Sequence, residues 1–276
     1  MTIVSTPQFS FMSANFLGRE KNYVDVTGFG ERSKSIADAF SPVETYGERI
    51  DGLFSEISAM GYRGVDLWIA HCDPTWATPR HIEGLQAASA KHQVEIVSLA
   101  GGTGKDLVSF ERTCQTARDI GCSLLGMSCP LLPDHIEDVQ NILSRYGVVL
   151  GFENHPREPT PEVVLEKIGQ GRYPNIRVTF DTGWWGTHDY PLDEAFEKLQ
   201  EFIVLVHLKN VDAPVTHVAA PLDEGCLNLE PFVHLLRASD YSGWISLEYE
   251  PLAHNPTDDC RRFLTLAKNW WEKPSS

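Results

Sequence analysis

The stretch VVLGFENHP, residues 148–156, places an acid and an imidazole at the end of an apolar run. Glu153 and His155 are two positions apart, and such residues point to the same side of a β-strand. A carboxylate and an imidazole that face one cavity could bind a cation or transfer a proton. A single occurrence could be accidental, so the rest of the chain decides its meaning.

Three later apolar runs also deliver acidic or imidazole side chains near their ends. The run IRVTFD ends in Asp181, VLVHLKN carries His207 and Lys209, and ISLEYE carries Glu248 and Glu250. If these runs and the first are consecutive strands of a closed barrel, their carboxyl ends surround one opening. The acids and imidazoles would then meet there.

A divalent metal ion best explains such a meeting. The four residues predicted to converge are Glu153, Asp181, His207 and Glu248. Burial of even one unpaired carboxylate costs several kcal/mol, so three carboxylates need a positive partner. The oxygen-rich set favours Mn²⁺, Mg²⁺ or Co²⁺, and the imidazole also suits Zn²⁺. Any one of these residues is more often a helix cap or a core histidine, but four at consecutive strand ends favour one metal site.

The elements that would position these residues follow from the hydrophobic pattern. Predicted strands cover residues 9–17, 64–70, 94–101, 123–129, 148–154, 176–181, 202–210 and 244–250. Predicted amphipathic helices cover residues 46–60, 79–92, 106–120, 134–147, 160–169, 191–201, 228–239 and 257–271. Most strand runs are continuous, which is typical of a parallel sheet buried on both faces. Eight βα units predict an α/β fold, a (β/α)8 TIM barrel in which residues 1–276 form a single domain, with a doubly wound open sheet as the alternative.

One segment is long for a connection. Residues 18–45 separate the first predicted strand from the first predicted helix, and a structureless loop of this length is usually functional or disordered. On a barrel it would lie at the face where active sites are built. We therefore interpret residues 18–45 as a lid loop.

Composition excludes some classes of function. Thirty-eight acidic residues against 23 basic ones give a net charge of −15, which opposes nucleic-acid binding because that binding neutralises phosphates with Lys and Arg. The six cysteines have no paired CxxC spacing and suit reduced thiols. The start MTIVSTPQFS lacks the features of a secretion signal, and no apolar run is long enough to span a membrane. We expect a cytoplasmic protein with no membrane partner.

The motifs GYRGVDLW, GFENHP, VTFDTGWW, VHLKN and ISLEYEP together resemble the xylose-isomerase-like TIM barrels. More narrowly they resemble the sugar-phosphate isomerase and epimerase group, which includes ketose 3-epimerases, inosose dehydratases and hydroxypyruvate isomerases. The stretch PLDEGCLN (221–228) is similar to the Gly-Glu-Gly turn that the family places before its seventh helix. The resemblance covers strands two to eight. It is specific for the fold and the metal site but not for the substrate.

The resemblance implies a site and a reaction. Glu153, Asp181, His207 and Glu248 would bind the metal, and Glu153 and Glu248 would also act as acid and base. Isomerisation or epimerisation of a ketose or sugar phosphate removes a proton next to a carbonyl, and a metal on the carbonyl and hydroxyl oxygens would stabilise the enediolate. Two carboxylates on opposite faces of the substrate would remove and deliver protons.

Several candidate substrate contacts depart from the family pattern. Trp184 stands where ketose 3-epimerases commonly have a histidine, and His188 follows nearby as a substitute or as a surface residue. Lys209 could hold an oxyanion or carboxylate of the substrate, or form an ion pair within the site. His155 would contact the substrate or a metal ligand. Asp66 and Trp68, which face one way on strand two, and His71, which follows the strand, could also line the pocket.

Other functions remain open at this point. A lyase of the same family would use the same proton abstraction and then expel a hydroxyl or glycosyl group, as inosose dehydratases or 3-keto-glycoside eliminases do. A related apurinic endonuclease would need three zinc ions and further histidines, and the acidic charge opposes it. A non-catalytic sugar-binding protein is a fourth interpretation. The resemblance also implies a homo-oligomer.

Overall fold

The structure, a computed structural model, describes residues 7–24 and 28–273. Its central element is a barrel of parallel strands: β1 (Gln8–Met12), β2 (Gly64–Trp68), β3 (Glu95–Gly102), β4 (Leu124–Ser128), β5 (Val149–Glu153), β6 (Ile176–Asp181), β7 (Ile203–Val211) and β8 (Trp244–Glu248). Each strand pairs with the next, and β8 also pairs with β1, so the sheet closes. The predicted TIM barrel is confirmed.

Helices surround the barrel. They are α1 (Phe29–Phe40), α2 (Val43–Ala59), α3 (Pro79–His92), α4 (Leu107–Ile120), α5 (Ile136–Tyr146), α6 (Pro161–Lys167), α7 (Thr182–Thr187), α8 (Leu192–Leu199), α9 (Leu229–Ala238) and α10 (Thr257–Glu272). A two-residue strand, Ala219–Ala220, pairs antiparallel with the end of β7. Among the described residues, no helix is both long and apolar enough to cross a membrane.

Helix α2 shows how the sequence specifies the outer layer. Its buried residues are Tyr46, Ile50, Leu53, Phe54 and Ile57. They recur at intervals of three and four, the spacing of one face of an α-helix. That face packs inward, and the polar residues between them face outward. The strands contribute the other side of this core with buried Val, Leu and Phe side chains.

The prediction that the first strand runs to residue 17 was wrong. β1 ends at Met12, and Ser13–Phe16 form a 3₁₀ turn. The polar side chains in this run bind neighbouring backbone groups: Ser13 Oγ accepts from Trp68 N at 2.7 Å, and Asn15 Nδ2 donates to the Leu247 carbonyl at 3.0 Å. Such bonds replace a continued strand ladder and turn the chain outward.

The segment 18–45 is not a structureless loop. It contains a 3₁₀ turn at Arg19–Lys21, all of α1 and the start of α2, while residues 25–27 lie outside the described part. Arg32 of α1 is fully buried and donates Nη1 to the Leu252 carbonyl after β8 at 3.2 Å. α1 therefore lies over the carboxyl ends of the strands. Its role as a lid stays a prediction.

Candidate metal centre

Four side chains from four adjacent strands meet at the carboxyl-terminal end of the barrel. Each offers one ligand atom, and these atoms lie within 4.8 Å of one another; the residues are Glu153, Asp181, His207 and Glu248. All four are buried. Three of them are the last residues of β5, β6 and β8, and His207 lies in the longer β7. The structure thus brings together the four residues that the sequence predicted to converge.

His207 is the centre of this cluster. Its Nδ1 lies 2.8 Å from Glu153 Oε1, 3.2 Å from Glu248 Oε2 and 3.9 Å from Asp181 Oδ2. Its Nε2 faces the other way and lies 2.9 Å from Asp66 Oδ2. One ring nitrogen is therefore available to the cluster, and the other is held by a buried carboxylate on β2.

Asp181 is fixed by the chain on both sides of it. Its Oδ1 accepts the backbone N–H of Trp184 at 2.8 Å and so caps α7. Asn154 holds its backbone: Asn154 Nδ2 donates to the Asp181 carbonyl at 3.1 Å, and Asp181 N donates to Asn154 Oδ1 at 2.9 Å. Because Oδ1 is used by the cap, Oδ2 is left to face the cluster.

Lys209 is an ion-pair partner within the site. Its Nζ lies 2.6 Å from Glu248 Oε1 and 2.8 Å from Glu250 Oε2, and its side chain is almost wholly buried. Thr182 Oγ1 accepts from Lys209 N at 2.9 Å and donates to the Lys209 carbonyl. Glu250 therefore neutralises Lys209 and is not a fifth member of the cluster.

The electrostatics of the cluster reflect crowded negative charge. Burial, and then the negative charge of Glu248, raises the pKa of Asp181 to about 7. Burial acts to lower the pKa of Lys209, but Glu248 and Glu250 outweigh it and raise that pKa well above its ordinary value. Burial acts to raise the pKa of Glu248, but Lys209 and His207 outweigh it and lower that pKa. Glu248 thus stays ionised, whereas burial and the neighbouring negative charge favour the protonated form of Asp181.

The residues present fit a divalent metal ion. Asp181 Oδ2 and Glu248 Oε2 are buried without a hydrogen-bond partner among the described residues, and both point into the cluster. Carboxylate oxygens and one imidazole nitrogen are the ligand types that such ions take. Within residues 7–24 and 28–273, this is the one cluster of at least three His, Cys, Asp or Glu residues with metal-ligand spacing. The described chain therefore offers no three-zinc arrangement.

Aromatic and imidazole rings lie beside the metal cluster. His155 Nε2 is 3.6 Å from Glu153 Oε2, and its ring lies 5.4 Å from the ring of Trp184. Trp184 stacks face to face on His217, with 3.3 Å between ring centroids. His188 Nε2 lies 3.4 Å from the His155 carbonyl. Burial lowers the pKa of His217 to about 3, so this imidazole stays neutral.

The three candidates from strand two, Asp66, Trp68 and His71, are all buried. Asp66 is fully buried and contacts His207. Trp68 and His71 are buried beneath α1, where they pack edge-on against Phe29 and Phe40 respectively. Burial lowers the pKa of His71 to about 3. The structure does not bring Trp68 and His71 into the metal cluster, and their contact with a substrate stays a prediction.

Sequence reasoning missed three contributors. Asn154 holds Asp181, Thr182 holds the backbone of Lys209, and His217 covers Trp184. Asn154 and Thr182 directly follow predicted strand-end acids, which was a usable signal. His217 lies in the connection after β7, and no local pattern relates it to Trp184 thirty-three positions earlier.

Asn210 organises the PLDEGCLN stretch beside the site. Its Nδ2 donates to the carbonyls of Leu222 and Leu227, each at 2.9 Å. A Cβ at Gly225 would overlap the Asn210 side chain. Glycine at this position is therefore required by the close approach of the two segments.

Comparison with known proteins places the chain in a protein family. A family model described as xylose isomerase-like TIM barrel matches residues 54–266. A curated 3-dehydroshikimate dehydratase from Bacillus anthracis is 24% identical over 155 residues, which are 49% of this chain and 54% of that protein. The match thus spans about half of the relative's length.

Solved structures share the architecture. A xylose isomerase-like TIM barrel protein from Mycobacterium smegmatis, in complex with magnesium, has a TM-score of 0.67 at 16% identity and covers 98% of this chain and 100% of its own. D-psicose 3-epimerase from Clostridium cellulolyticum H10, solved with D-tagatose, has a TM-score of 0.65 at 10% identity and covers 81% and 94%. At these identities the likeness shows the fold.

Proposed function

We propose that this chain, which belongs to the xylose isomerase-like TIM barrel family, is a divalent-metal-dependent isomerase or epimerase of a ketose. The observation that carries the proposal is the buried cluster of three carboxylates and one imidazole, with ligand atoms within 4.8 Å of one another. Epimerases and a dehydratase are among the similar proteins, so the family accommodates proton abstraction next to a carbonyl.

The metal would be Mn²⁺ first, with Mg²⁺, Co²⁺ or Zn²⁺ as alternatives, held by Glu153, Asp181, His207 and Glu248. When bound, it would supply positive charge that offsets the negative charge developing on the substrate oxygens. The remaining work belongs to side chains. Glu153 Oε1 lies within the cluster, 2.8 Å from His207 Nδ1, so Glu153 Oε2, beside His155, is the atom we assign to proton removal.

Glu248 is the second acid–base candidate, and its environment differs from that of Glu153. Lys209 holds Glu248 Oε1 and keeps the carboxylate ionised. An ionised carboxylate with a lowered pKa is a weak base. We therefore assign proton removal to Glu153. In an epimerisation, Glu248 would first take a proton from solvent and then deliver it to the opposite face of the substrate, and Glu153 would release the removed proton to solvent.

The charge of the site favours an uncharged sugar over a sugar phosphate. Five carboxylates lie in or against the cluster, namely Asp66, Glu153, Asp181, Glu248 and Glu250. Lys209, the buried cation among them, is already paired twice. A phosphate placed near this set would be repelled, whereas the carbonyl and hydroxyl oxygens of a ketose would not.

Deuterium exchange tests the proposal. Protein reconstituted with Mn²⁺ would be incubated in heavy water with a panel of ketoses and their phosphate esters, and solvent deuterium in recovered sugar measured by mass spectrometry. We expect incorporation at the carbon next to the carbonyl for at least one free ketose, and its loss after chelation. Exchange that is unaffected by complete metal removal would contradict the metal-dependent reaction.

A lyase is the second candidate, favoured by the 24% identity to a 3-dehydroshikimate dehydratase. The same proton removal by Glu153 would then be followed by loss of a hydroxyl from the adjacent carbon. Product mass separates the two reactions, because an isomer keeps the mass of the substrate and a dehydration product lacks one water.

A further inference from the structure

Asp66 has an unusual environment for a carboxylate. It lies in the middle of β2, its side chain is fully buried, and its Oδ1 has no hydrogen-bond partner among the described residues. Its Oδ2 lies 2.9 Å from His207 Nε2. Burial of a carboxylate without compensation is costly, so the contact with His207 has to offset that cost.

The imidazole of His207 separates Asp66 from the metal cluster. Nε2 faces Asp66, while Nδ1 faces Glu153 and Glu248. Carboxylates therefore flank both ring nitrogens. If a metal ion takes the lone pair of Nδ1, the single proton of the neutral His207 ring lies on Nε2, where Asp66 Oδ2 accepts it, because an ionised carboxylate accepts hydrogen bonds and does not donate them.

We propose that Asp66 is the positioning residue of the metal centre: it holds the proton of His207 on Nε2 and the ring in the orientation that presents Nδ1 to the metal. The inference rests on the metal centre of the proposed function. Asp66 is fully buried and contacts His207, and its contact with a substrate stays a prediction.

The role has a consequence for metal preference. Outer partners of a ligating histidine orient it and raise its basicity, and their loss weakens metal binding about 10- to 100-fold. Imidazole is a preferred ligand of Zn²⁺, whereas Mg²⁺ is bound mainly through oxygen. Loss of Asp66 should therefore weaken Zn²⁺ binding more than Mg²⁺ binding.

The test compares Asp66→Asn, Asp66→Ala and wild type, with Ser98→Ala as the matched control. Ser98 is buried and lies beside Asp66 in register on β3, and its Oγ has no hydrogen-bond partner among the described residues. Dissociation constants for Zn²⁺ and Mg²⁺ would be measured by titration calorimetry with chelator competition. Thermal unfolding of each metal-free variant would establish that it folds.

We expect Zn²⁺ affinity to fall about tenfold in Asp66→Asn, whose amide oxygen still accepts from Nε2–H, and up to about 100-fold in Asp66→Ala. Mg²⁺ affinity should fall less, and Ser98→Ala should behave as wild type. In Zn²⁺-loaded, ¹⁵N-histidine-labelled protein, the slowly exchanging Nε2–H signal of His207 should persist in Asp66→Asn and disappear in Asp66→Ala.

Two results would overturn the assignment while wild type still binds metal. One is unchanged Zn²⁺ affinity in folded Asp66→Ala. The other is an equal weakening of Zn²⁺ and Mg²⁺, which would indicate general damage and not a specific effect on His207. Failure of wild type itself to bind either ion would instead contradict the metal centre on which the inference rests.

Discussion

At the scale of single residues, Lys209 makes the two candidate catalytic glutamates unequal. Its ammonium lies 2.6 Å from Glu248, whereas Glu153 is flanked by the imidazoles of His155 and His207. Lys209 was predicted to hold a substrate oxyanion or form an ion pair within the site, and the structure places it in an ion pair. The lysine could still approach a substrate oxygen, and that contact stays a prediction.

Substitution of the glutamates tests their roles. We expect Glu153→Gln to lower kcat about 10²- to 10⁴-fold, because an amide cannot accept the proton that Glu153 Oε2 would take. Glu248→Gln should lower turnover as well. Steady-state rates, with bound metal measured in the same samples, check the prediction. A Glu153→Gln protein that retains metal and a near-wild-type rate would remove this residue from the mechanism.

The pKa of Asp181 predicts a pH-dependent stability of the metal-free protein. Burial and Glu248 raise that pKa to about 7, above the value of about 3.9 in an unfolded chain. A raised pKa contributes stability that is present at low pH and is lost as pH rises toward 7. The amide of Asp181→Asn does not ionise, so this variant does not lose stability in this way as pH rises.

The melting temperature of metal-free Asp181→Asn should therefore exceed that of wild type increasingly as pH rises from about 4 to about 8. Thermal unfolding across this range measures the difference. The exposed Asp240→Asn is the control and should show no such trend. A difference in melting temperature that is constant with pH would mean that the pKa of Asp181 is not raised in the folded protein.

At the scale of elements, the predictable features were those with strong periodicity. Every barrel strand and eight of the helices were located from apolar runs and helical stripes. α1 was missed because its stripe is weak: its three buried residues include Arg32, whose charge hides the pattern. α7 was missed because it has six residues, two of them glycine, and depends on Asp181 as its cap.

Gly183 in α7 is expected to be required because the Lys209 side chain lies close to its Cα. A Cβ at Gly183 would lie 2.8 Å from Lys209 Cγ and 3.2 Å from Asp181 Oδ1. Gly183→Ala should therefore displace Lys209 and destabilise the fold by about 1–3 kcal/mol. Gly52→Ala, on an open face of α2 with nothing within 4 Å, should instead stabilise by roughly 0.5–1 kcal/mol. Urea unfolding measures both, and equal effects of the two would contradict the close contact.

α1 offers a test of the lid interpretation. Because Arg32 binds the Leu252 carbonyl and Phe29 packs on Trp68, α1 has defined contacts with the strand ends. If the segment closes over a bound sugar, amide hydrogen exchange in residues 29–40 should slow when metal and a ketose are both present. α10, on the outside of the barrel, is the reference. Unchanged exchange in α1 with saturating substrate would contradict a lid.

At the scale of the whole molecule, the fold and the metal cluster follow from the same feature. Parallel strands in a closed barrel end at one face, so strand-end side chains that are 54 and 41 positions apart in sequence meet there. The contacts of connections such as the one that carries His217 do not follow from this feature. These segments have no periodic signal, and their contacts form only in the folded chain.

The proposed function depends on one divalent ion bound at the four strand ends. The most direct measurement is elemental mass spectrometry of wild type and His207→Ala after reconstitution with Mn²⁺ and removal of unbound ion. We predict about one equivalent of Mn²⁺ per chain in wild type and a large loss in folded His207→Ala, since Nδ1 of His207 faces all three carboxylates. No bound metal in wild type, or equal metal in both proteins, would contradict the account.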